Sequence, residues 1–296
     1  MKSLSVGMAL ALVLGCVGGA GKGMGQRINR TPLDPTTAAR ARQLVTEGDE
    51  LWKERGDETK LRQALAKWEE AVKINTADHE TYAKLARGTY LLADGYLSFD
   101  SGRVDEFLAT HERGKRFAEQ GLMALSPDFE NRRFSGVKLQ DAVMVLDRAA
   151  VPLLYWYDVN LGKWAKFKGI STTLKYKDEI FGIMTKVAEL DPDYFHAAPD
   201  RYFGGFYAVA PSFAGGDLAK SAEYFQSSVK KQPNYLATHV LIADLLAPKL
   251  QDRAMFEREL KFVLDTPAES MPDVIHEQNI EKKKAEKLLK EIDERF

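Results

Sequence analysis

The stretch RYFGGFYAVAPSFAGGDLAKSAEYFQSSVKKQPNY, residues 201–235, decides the predicted fold. Its second half begins at a Gly-Asp turn and continues with a small residue, an aromatic residue, a second small residue and a proline: Gly216, Ser221, Phe225, Ser228 and Pro233. A small residue lets a partner helix approach, an aromatic ring fills the groove between two helices, and proline ends a helix. The pattern therefore predicts a helix that packs in a hairpin with Phe225 facing inward.

The same pattern recurs far away in the chain, at Ala64, Trp68 and Ala71. A helix-ending phrase also recurs, as ALSPDF at 124–129, ELDPDY at 189–194 and KKQPNY at 230–235. Repeated helical hairpins with a small-aromatic-small pattern are typical of tetratricopeptide (TPR) repeats. We therefore expect an all-α protein, a superhelical array of degenerate TPR-like hairpins with a C-terminal capping helix at about 275–295.

The expected helices are separated by two polar loops, at 126–136 and 166–175. The most apolar segment lies between these loops, at 139–162, and contains Pro152. Asp147, Arg148 and Asp158 interrupt this segment, which argues against a membrane span. We expect a buried central helix that Pro152 kinks. The basic run at 282–284 is expected to be the solvated side of the last helix.

The charge balance excludes a strong general attraction to nucleic acid, because 42 Lys and Arg residues face 43 Asp and Glu residues. The single cysteine, Cys16, excludes an intramolecular disulfide. It follows an apolar run, 4–14, that is too short to span a bilayer, and the sequence VLGC resembles a bacterial lipobox. We expect residues 1–16 to be a lipoprotein signal peptide and Cys16 to be lipidated. The alternative is an ordinary signal peptide with an incidental cysteine.

Residues 17–36 are rich in glycine and polar groups and are expected to be a flexible tether, followed by a helical domain at 37–296. The residue after Cys16 is Val17 rather than an acidic residue. By resemblance to bacterial lipoproteins without an inner-membrane retention signal, this suggests the outer membrane, facing the periplasm.

The sequence contains no recognisable catalytic motif, and we expect no enzyme, metal or cofactor. Three histidines are followed by glutamate, but the second histidine of the zinc-protease pattern HExxH is missing each time. No GxSxG elbow or dinucleotide-binding GxGxxG is present either.

Two aromatic clusters are the candidate binding residues. They are Tyr155, Trp156 and Trp164, beside Lys163, and Tyr202, Phe206 and Tyr207, beside Arg201. Wide rings often fill gaps between helices, so core packing is one interpretation. A groove or pore for an apolar or anionic small molecule is the other.

Several segments together resemble the T component of tripartite ATP-independent periplasmic (TRAP) transporters. They are the lipobox ending in Cys16, LLYWYDVNLGKWAKFKG at 153–169, ELDPDY, the 201–235 stretch, and ADLLAPKLQDRAMFERELKFVL at 243–264. The resemblance implies a periplasmic lipoprotein, a homotrimer, and a complex with the transporter's solute-binding P component. The family's motif residues are Gly162, Gly204, Pro211, Gly216, Gln251, Asp252 and Arg253, in addition to Trp156, Trp164 and Arg201. A general TPR adaptor for envelope protein assembly is the alternative.

Overall fold

The computed structural model describes residues 26–296, which are all helix, turn and irregular connections. The first two helices, α1 (Pro35–Lys53) and α2 (Glu58–Ile74), form a hairpin. Trp68 of α2 is 1% exposed, and its Nε1 donates a hydrogen bond to Asp49 of α1 at 3.1 Å. Ala64 and Ala71 are buried beside Trp68, which confirms the inward face predicted from the small-aromatic-small pattern.

A second hairpin joins α3 (His79–Gly95) and α4 (Val104–Leu125), and α3 also packs against α2. The loop expected at 126–136 is wrong, because α5 (Pro127–Phe134) occupies most of it. Ser126 caps this helix by accepting a hydrogen bond from the Phe129 backbone N–H at 3.1 Å. The completely buried Phe129 ring then holds α5 against the core.

The expected central segment is not one kinked helix. Leu139–Ala142 (α6) is followed by two 3₁₀ turns, and α7 (Val151–Lys168) begins only after them. Pro152 lies in the first turn of α7, where its missing N–H costs no helical hydrogen bond, so it starts the helix instead of kinking it. Helix α7 packs against α3, α4 and α8 and is the buried centre of the structure.

The expected loop at 166–175 is also wrong. Helix α8 (Ile170–Leu190) begins two residues after α7 ends, and Gly169 alone makes the break. Its φ of 103° lies in the region that glycine adopts without strain, so the chain reverses within one residue.

Helices α9 (Tyr194–Val209) and α10 (Leu218–Lys231) form the hairpin predicted at 201–235. Ser221, Phe225 and Ser228 are all buried, as the pattern indicated. The Ser221 hydroxyl donates a hydrogen bond to the Gly204 carbonyl at 2.7 Å, so the two helices are in close contact at this point.

The C-terminal helices return to the beginning of the chain. Helix α11 (Leu236–Leu241) continues through a π-helical turn (Ile242–Leu246) into α12 (Ala247–Leu250), followed by α13 (Arg253–Asp265), α14 (Ile275–Lys290) and α15 (Ile292–Arg295). Helix α14 packs against α11, α13 and α3. The expectation that 282–284 is only a solvated face is wrong for Lys284, whose Nζ lies 2.6 Å from Asp94 of α3.

The described part of the expected tether is residues 26–36, of which the last two already belong to α1 and the preceding ones contact the domain. The Ile28 backbone N–H donates to Glu130 Oε1 at 2.7 Å, and Arg30 lies 2.6 Å from Glu130 Oε2. Ile28 itself is 8% exposed. The rest of the expected tether, residues 17–25, lies outside the described residues. The expected signal peptide and Cys16 lie outside them as well.

Candidate functional site

A cavity of about 300 Å³ lies between the helices and is partly open to solvent. It is lined by α3, α7, α8, α9, α11 with its π-helical turn, and α14. Most of its wall is aliphatic or aromatic. Pockets of this size lined by apolar groups with a few polar side chains are typical of small-molecule sites. The cavity is therefore the candidate functional site.

One face of α7 forms a wall of this cavity. Tyr155, Trp156, Val159, Gly162 and Lys163 recur at helical spacing, so their side chains all point the same way. The Trp156 ring lies 5.5 Å from the Tyr90 ring of α3 and 5.0 Å from the Phe195 ring of α9. Trp156 of α7 thus contacts both α3 and α9 in the cavity wall.

The wall formed by α9 begins with an unusual backbone. Phe195, His196 and Ala197 have φ values of 43°, 59° and 56°. Residues other than glycine rarely adopt this left-handed backbone conformation. A run of three such residues raises the free energy of the folded state unless other contacts stabilise it. Arg201 supplies such contacts, because its guanidinium donates hydrogen bonds to the carbonyls of His196 at 2.8 Å and Phe195 at 3.3 Å.

Arg201 is 5% exposed and lines the cavity. Its Nη2 also lies 3.4 Å from the Tyr155 hydroxyl, and its guanidinium carbon lies 4.4 Å from the centre of the Tyr235 ring. No carboxylate of the described chain lies within ion-pair distance of Arg201. Buried charges are normally paired, so this guanidinium is unusual.

Four other lining side chains form an ion-pair group between α3, α7 and α14. Asp94 lies 2.6 Å from both Lys163 and Lys284, and Lys284 lies 2.7 Å from Glu281. Burial alone would raise the pKa of Asp94, but the two lysines outweigh it and hold that pKa below its usual range. This group has no net charge.

A second ion-pair group joins α14 to the N-terminal helices. Glu277 lies 2.9 Å from Arg55 and 2.8 Å from Arg87. Although burial opposes it, the two arginines lower the pKa of Glu277. Arg87 also lies over the rings of Trp156 and Phe195, at 5.9 and 5.0 Å.

The π-helical turn 242–246 forms part of the opposite wall and contributes Asp244. Asp244 lies 2.8 Å from Arg295. Single π-helical turns within helices are frequent at functional sites, because the extra residue shifts a side chain out of helical register.

The structure brings most of the predicted candidate residues to this cavity. Its wall includes Tyr155, Trp156, Gly162, Lys163, Arg201, Tyr202, Phe206 and Pro211. Trp164 and Tyr207 lie outside it. Trp164 packs 5.9 Å from the Tyr176 ring, and Tyr207 stacks 5.6 Å from the Tyr224 ring.

Two of the motif glycines occupy places of close contact. A Cβ on Gly204 would lie 2.7 Å from the Phe225 ring, and a Cβ on Gly216 would lie 1.8 Å from the Ala210 carbonyl oxygen. Both are under the separation that real Cβ atoms show. These glycines let α9, the turn and α10 pack together.

The Gln251-Asp252-Arg253 motif lies at a helix start. Gln251 has φ 54°, and the Asp252 side chain accepts a hydrogen bond from the Met255 backbone N–H at 2.8 Å, as a helix cap does. Arg253 lies 3.2 Å from Glu257 and 3.1 Å from Asp293. The motif therefore connects α12, α13 and the chain end, away from the cavity.

The walls supplied by α3, the start of α9, Tyr235 just before α11, and α14 were not predicted from the sequence. These are Arg87, Tyr90, Asp94, Phe195, Tyr235, Glu277, Glu281 and Lys284. The run YLLAD in α3 contained a signal, since Asp94 is a carboxylate on an otherwise apolar helix face.

The described chain, residues 26–296, contains no helix long and apolar enough to cross a membrane. Nor does this range contain a group of three or more His, Cys, Asp or Glu side chains placed to hold a metal ion.

The described residues form an all-helical protein with a mainly apolar cavity. The family model described as TRAP transporter T-component (TAtT) matches residues 108–296, more than half of the chain. The chain belongs to the TRAP transporter T-component family, which confirms the resemblance. The match includes α7 to α14 of the cavity and excludes α3.

An uncharacterized protein of Treponema pallidum (strain Nichols) is 28% identical over 187 residues, which are 57% of this chain and 56% of that protein. The chain thus spans little more than half the length of the curated relative it matches.

The family is described as a component of TRAP transporters, and membership in it indicates an envelope or periplasmic location. The family is an accessory component in transport and is not known for enzymatic activity. The general adaptor interpretation is not favoured.

Proposed function

We propose that this protein is the periplasmic lipoprotein accessory (T) component of a TRAP transporter. It binds the solute-binding P component and takes an apolar or anionic small ligand into its cavity. The single observation that carries this proposal is that the family match at 108–296 includes the helices that enclose most of the cavity. Binding and hand-over of a ligand would need no covalent chemistry.

The proposed architecture is a TPR-like superhelix. In support, α1 with α2, α3 with α4 and α9 with α10 are hairpins of neighbouring helices. Buried small residues, Ala64 and Ser221, lie one helical turn before the buried aromatic residues Trp68 and Phe225. Stacked hairpins of this kind bury a continuous core and leave an extended concave surface for partners.

Lipidation of Cys16 is the proposed means of attachment to the outer membrane. The attachment of Ile28 and Arg30 to Glu130 supports a short connection between this anchor and the domain. An extended chain spans roughly 3.5 Å per residue, so residues 17–25 reach about 30 Å. The domain would then stay close to the membrane, where a solute-binding protein passes.

Capture of the partner tests the proposal. The chain with Cys16→Ser, which cannot be acylated, is immobilised and exposed to periplasmic extract from the native cell. We expect mass spectrometry to identify a TRAP solute-binding protein in the eluate. Extract from a strain that lacks the gene for that protein is the matched control. Retention of envelope assembly factors instead would contradict the transporter function.

The oligomeric state is tested separately. We propose a homotrimer, and light scattering of the Cys16→Ser chain should give three times the chain mass of 33.2 kDa. A mass of one chain at micromolar concentration would exclude a stable trimer.

A further inference from the structure

The acidic side chains that line the cavity all have ion-pair partners, whereas two of the basic ones have none within the described part of the chain. Six basic and four acidic side chains line it. Each of the four carboxylates has a basic partner within ion-pair distance: Asp94, Asp244, Glu277 and Glu281. Among the described residues, Arg201 and Lys166 are the two lining cations without a carboxylate partner. The charge available to a ligand in the cavity is therefore positive.

Arg201 is the deeper of these two cations. It is 5% exposed, whereas Lys166 is exposed at the end of α7. Enough protein surrounds the Lys166 ammonium that burial lowers its pKa. Within the range that the structure describes, Arg201 is therefore the unpaired cation on the buried part of the wall, and Lys166 is the one on its exposed part.

The guanidinium of Arg201 retains unused donors. A guanidinium has five N–H groups. One Nη1–H and the Nη2 group donate to His196, Phe195 and Tyr155. The Nε–H and one Nη1–H have no acceptor among the described residues. These two N–H groups lie on different sides of the guanidinium, so each can donate one hydrogen bond to an anionic head group.

Three tyrosines surround this guanidinium. Tyr155 and Tyr235 contact it directly, and Tyr90 lies near enough to act on its charge. Burial raises the pKa of Tyr90 and Tyr235, so both phenols stay protonated at neutral pH. Neither hydroxyl has a hydrogen-bond partner among the described residues, and both can donate to an anion.

The remainder of the wall is apolar. Leu91, Val159, Ile180, Val240 and Ile280 line it together with the aromatic rings. A second charge held at this apolar wall, away from Lys166 at the exposed end of α7, would lose hydration without gaining a partner. Carboxylates already pair with the other lining lysines and arginines apart from Arg201.

From this arrangement we infer that the cavity binds an amphiphilic monoanion. Arg201 with Tyr90, Tyr155 and Tyr235 receives the single anionic head, and the apolar wall receives an alkyl or aryl body. Small dianions, amines and neutral alcohols are discriminated against. The inference rests on the proposed function, since it names the class of ligand for the same cavity.

The test compares ligands that share one apolar body, using the purified Cys16→Ser chain without detergent. The probes are octanoate, octanesulfonate, 1-octanol, octylamine and the dianion succinate, and binding is measured by calorimetry at neutral pH. Hydrogen bonds to a charged head group should favour octanoate over 1-octanol by about tenfold or more. Octylamine should bind more weakly than 1-octanol. Succinate should bind more weakly than octanoate.

Two variants locate the head and the body of the ligand. Arg201→Gln should bring octanoate to within about threefold of 1-octanol while 1-octanol still binds. Gly162→Phe should abolish binding of both, because the nearest atom to a Cβ at Gly162 is Tyr202 Oη at 3.6 Å and a larger ring must enter the cavity. Arg258→Gln is the matched control, since Arg258 is 62% exposed and outside the cavity wall.

Arg201 also holds the backbone of 195–197, so Arg201→Gln could fail to fold. Tyr235→Phe is the second variant, which removes one donor and keeps the ring. It should weaken octanoate about threefold or more and leave 1-octanol unchanged.

Equal or tighter binding of 1-octanol or octylamine to the unsubstituted chain would overturn the inference. So would binding of none of the five probes. Neither result affects capture of a solute-binding protein, so failure of the ligand class is distinguishable from failure of the proposed function. A preference for octanesulfonate over octanoate would still support the monoanion and would identify the head group.

Discussion

Two adjacent glycines of α9 should respond in opposite ways to the same substitution. A Cβ on Gly204 would lie 2.7 Å from the Phe225 ring, whereas a Cβ on Gly205 would lie 3.4 Å from a Leu245 methyl group. The first separation is too short for two carbon atoms, and the second is an ordinary contact. Gly204→Ala and Gly205→Ala are therefore a matched pair on one helix.

The expected magnitudes follow from two effects. Alanine in a helix interior is more stable than glycine by about 0.5–1 kcal/mol, and this gain applies to both positions. Overpacking a dense core costs about 1–3 kcal/mol, and this cost applies only at Gly204, where Phe225 is 1% exposed. Gly204→Ala should lower the free energy of unfolding by about 1–2 kcal/mol, and Gly205→Ala should raise it by about 0.5–1 kcal/mol.

Urea denaturation followed by circular dichroism measures both changes. The two variants should differ by about 2 kcal/mol, or roughly 4–8 °C in Tm for a chain of this size. Adding Phe225→Leu to Gly204→Ala should recover part of the loss, because the clash is with that ring. Stabilisation by Gly204→Ala similar to that by Gly205→Ala would refute the close contact of α9 with α10.

Three further predictions concern other parts of the described chain. Burial lowers the pKa of His111 from 6.5 to about 4, so the unfolded chain binds a proton that the folded chain does not between these values. The free energy of unfolding should therefore fall by up to about 3 kcal/mol as pH drops from 6.5 to 4, and His111→Asn should lack this dependence in urea titrations. Glu130→Ala should release the contacts of Ile28 and Arg30, and limited trypsin digestion should then cleave at 26–34 several-fold faster, while unchanged cleavage would contradict the attachment. Gly216→Ala should lower the free energy of unfolding by about 3 kcal/mol or more, because its Cβ would overlap the Ala210 carbonyl oxygen. Gly162→Ala is the control inside a helix, and urea denaturation should find it stabilised by about 0.5–1 kcal/mol.

The sequence alone was sufficient to predict buried helix faces where a residue pattern repeats within one helix. The small-aromatic-small spacing predicted the buried faces around Trp68 and Phe225, since one helical period determines which side chains share a face. The all-α class follows from the same spacing. Of the segments that carried the family resemblance, 153–169, ELDPDY, 201–235 and 243–264 lie within the matched residues, and the lipobox ending in Cys16 lies outside them.

The two wrong loops show why polar segments are misread. Residues 127–134 contain charged side chains and few apolar ones, yet Ser126 caps this helix and the buried Phe129 ring anchors it in the core. At 166–175 the basic residues suggested a loop, but Gly169 turns the chain in a single residue and both helices extend to it.

The cavity could be predicted only in part. Helices α7 and α9 carry aromatic clusters that the sequence displays, and their candidate residues Trp156 and Arg201 line the cavity. The opposite walls come from α3 and α14, which are far apart in the chain. Lys284 pairs with Asp94 across 190 residues, and no local pattern could relate them.

Similarly, the absence of a carboxylate near Arg201 is a property of the folded core. An arginine beside aromatic residues is common in sequences. Only the positions of Tyr155, Tyr235 and the backbone carbonyls of 195 and 196 distinguish this arginine from one in an ordinary ion pair.

The most direct test of the central claim is calorimetric titration of the Cys16→Ser chain with the purified solute-binding component of a TRAP transporter from the same cell. A T component should bind it with a Kd of about 1 μM or tighter, in a complex that sediments as a single species. The absence of heat and of a sedimenting complex at tens of micromolar would contradict the proposed function.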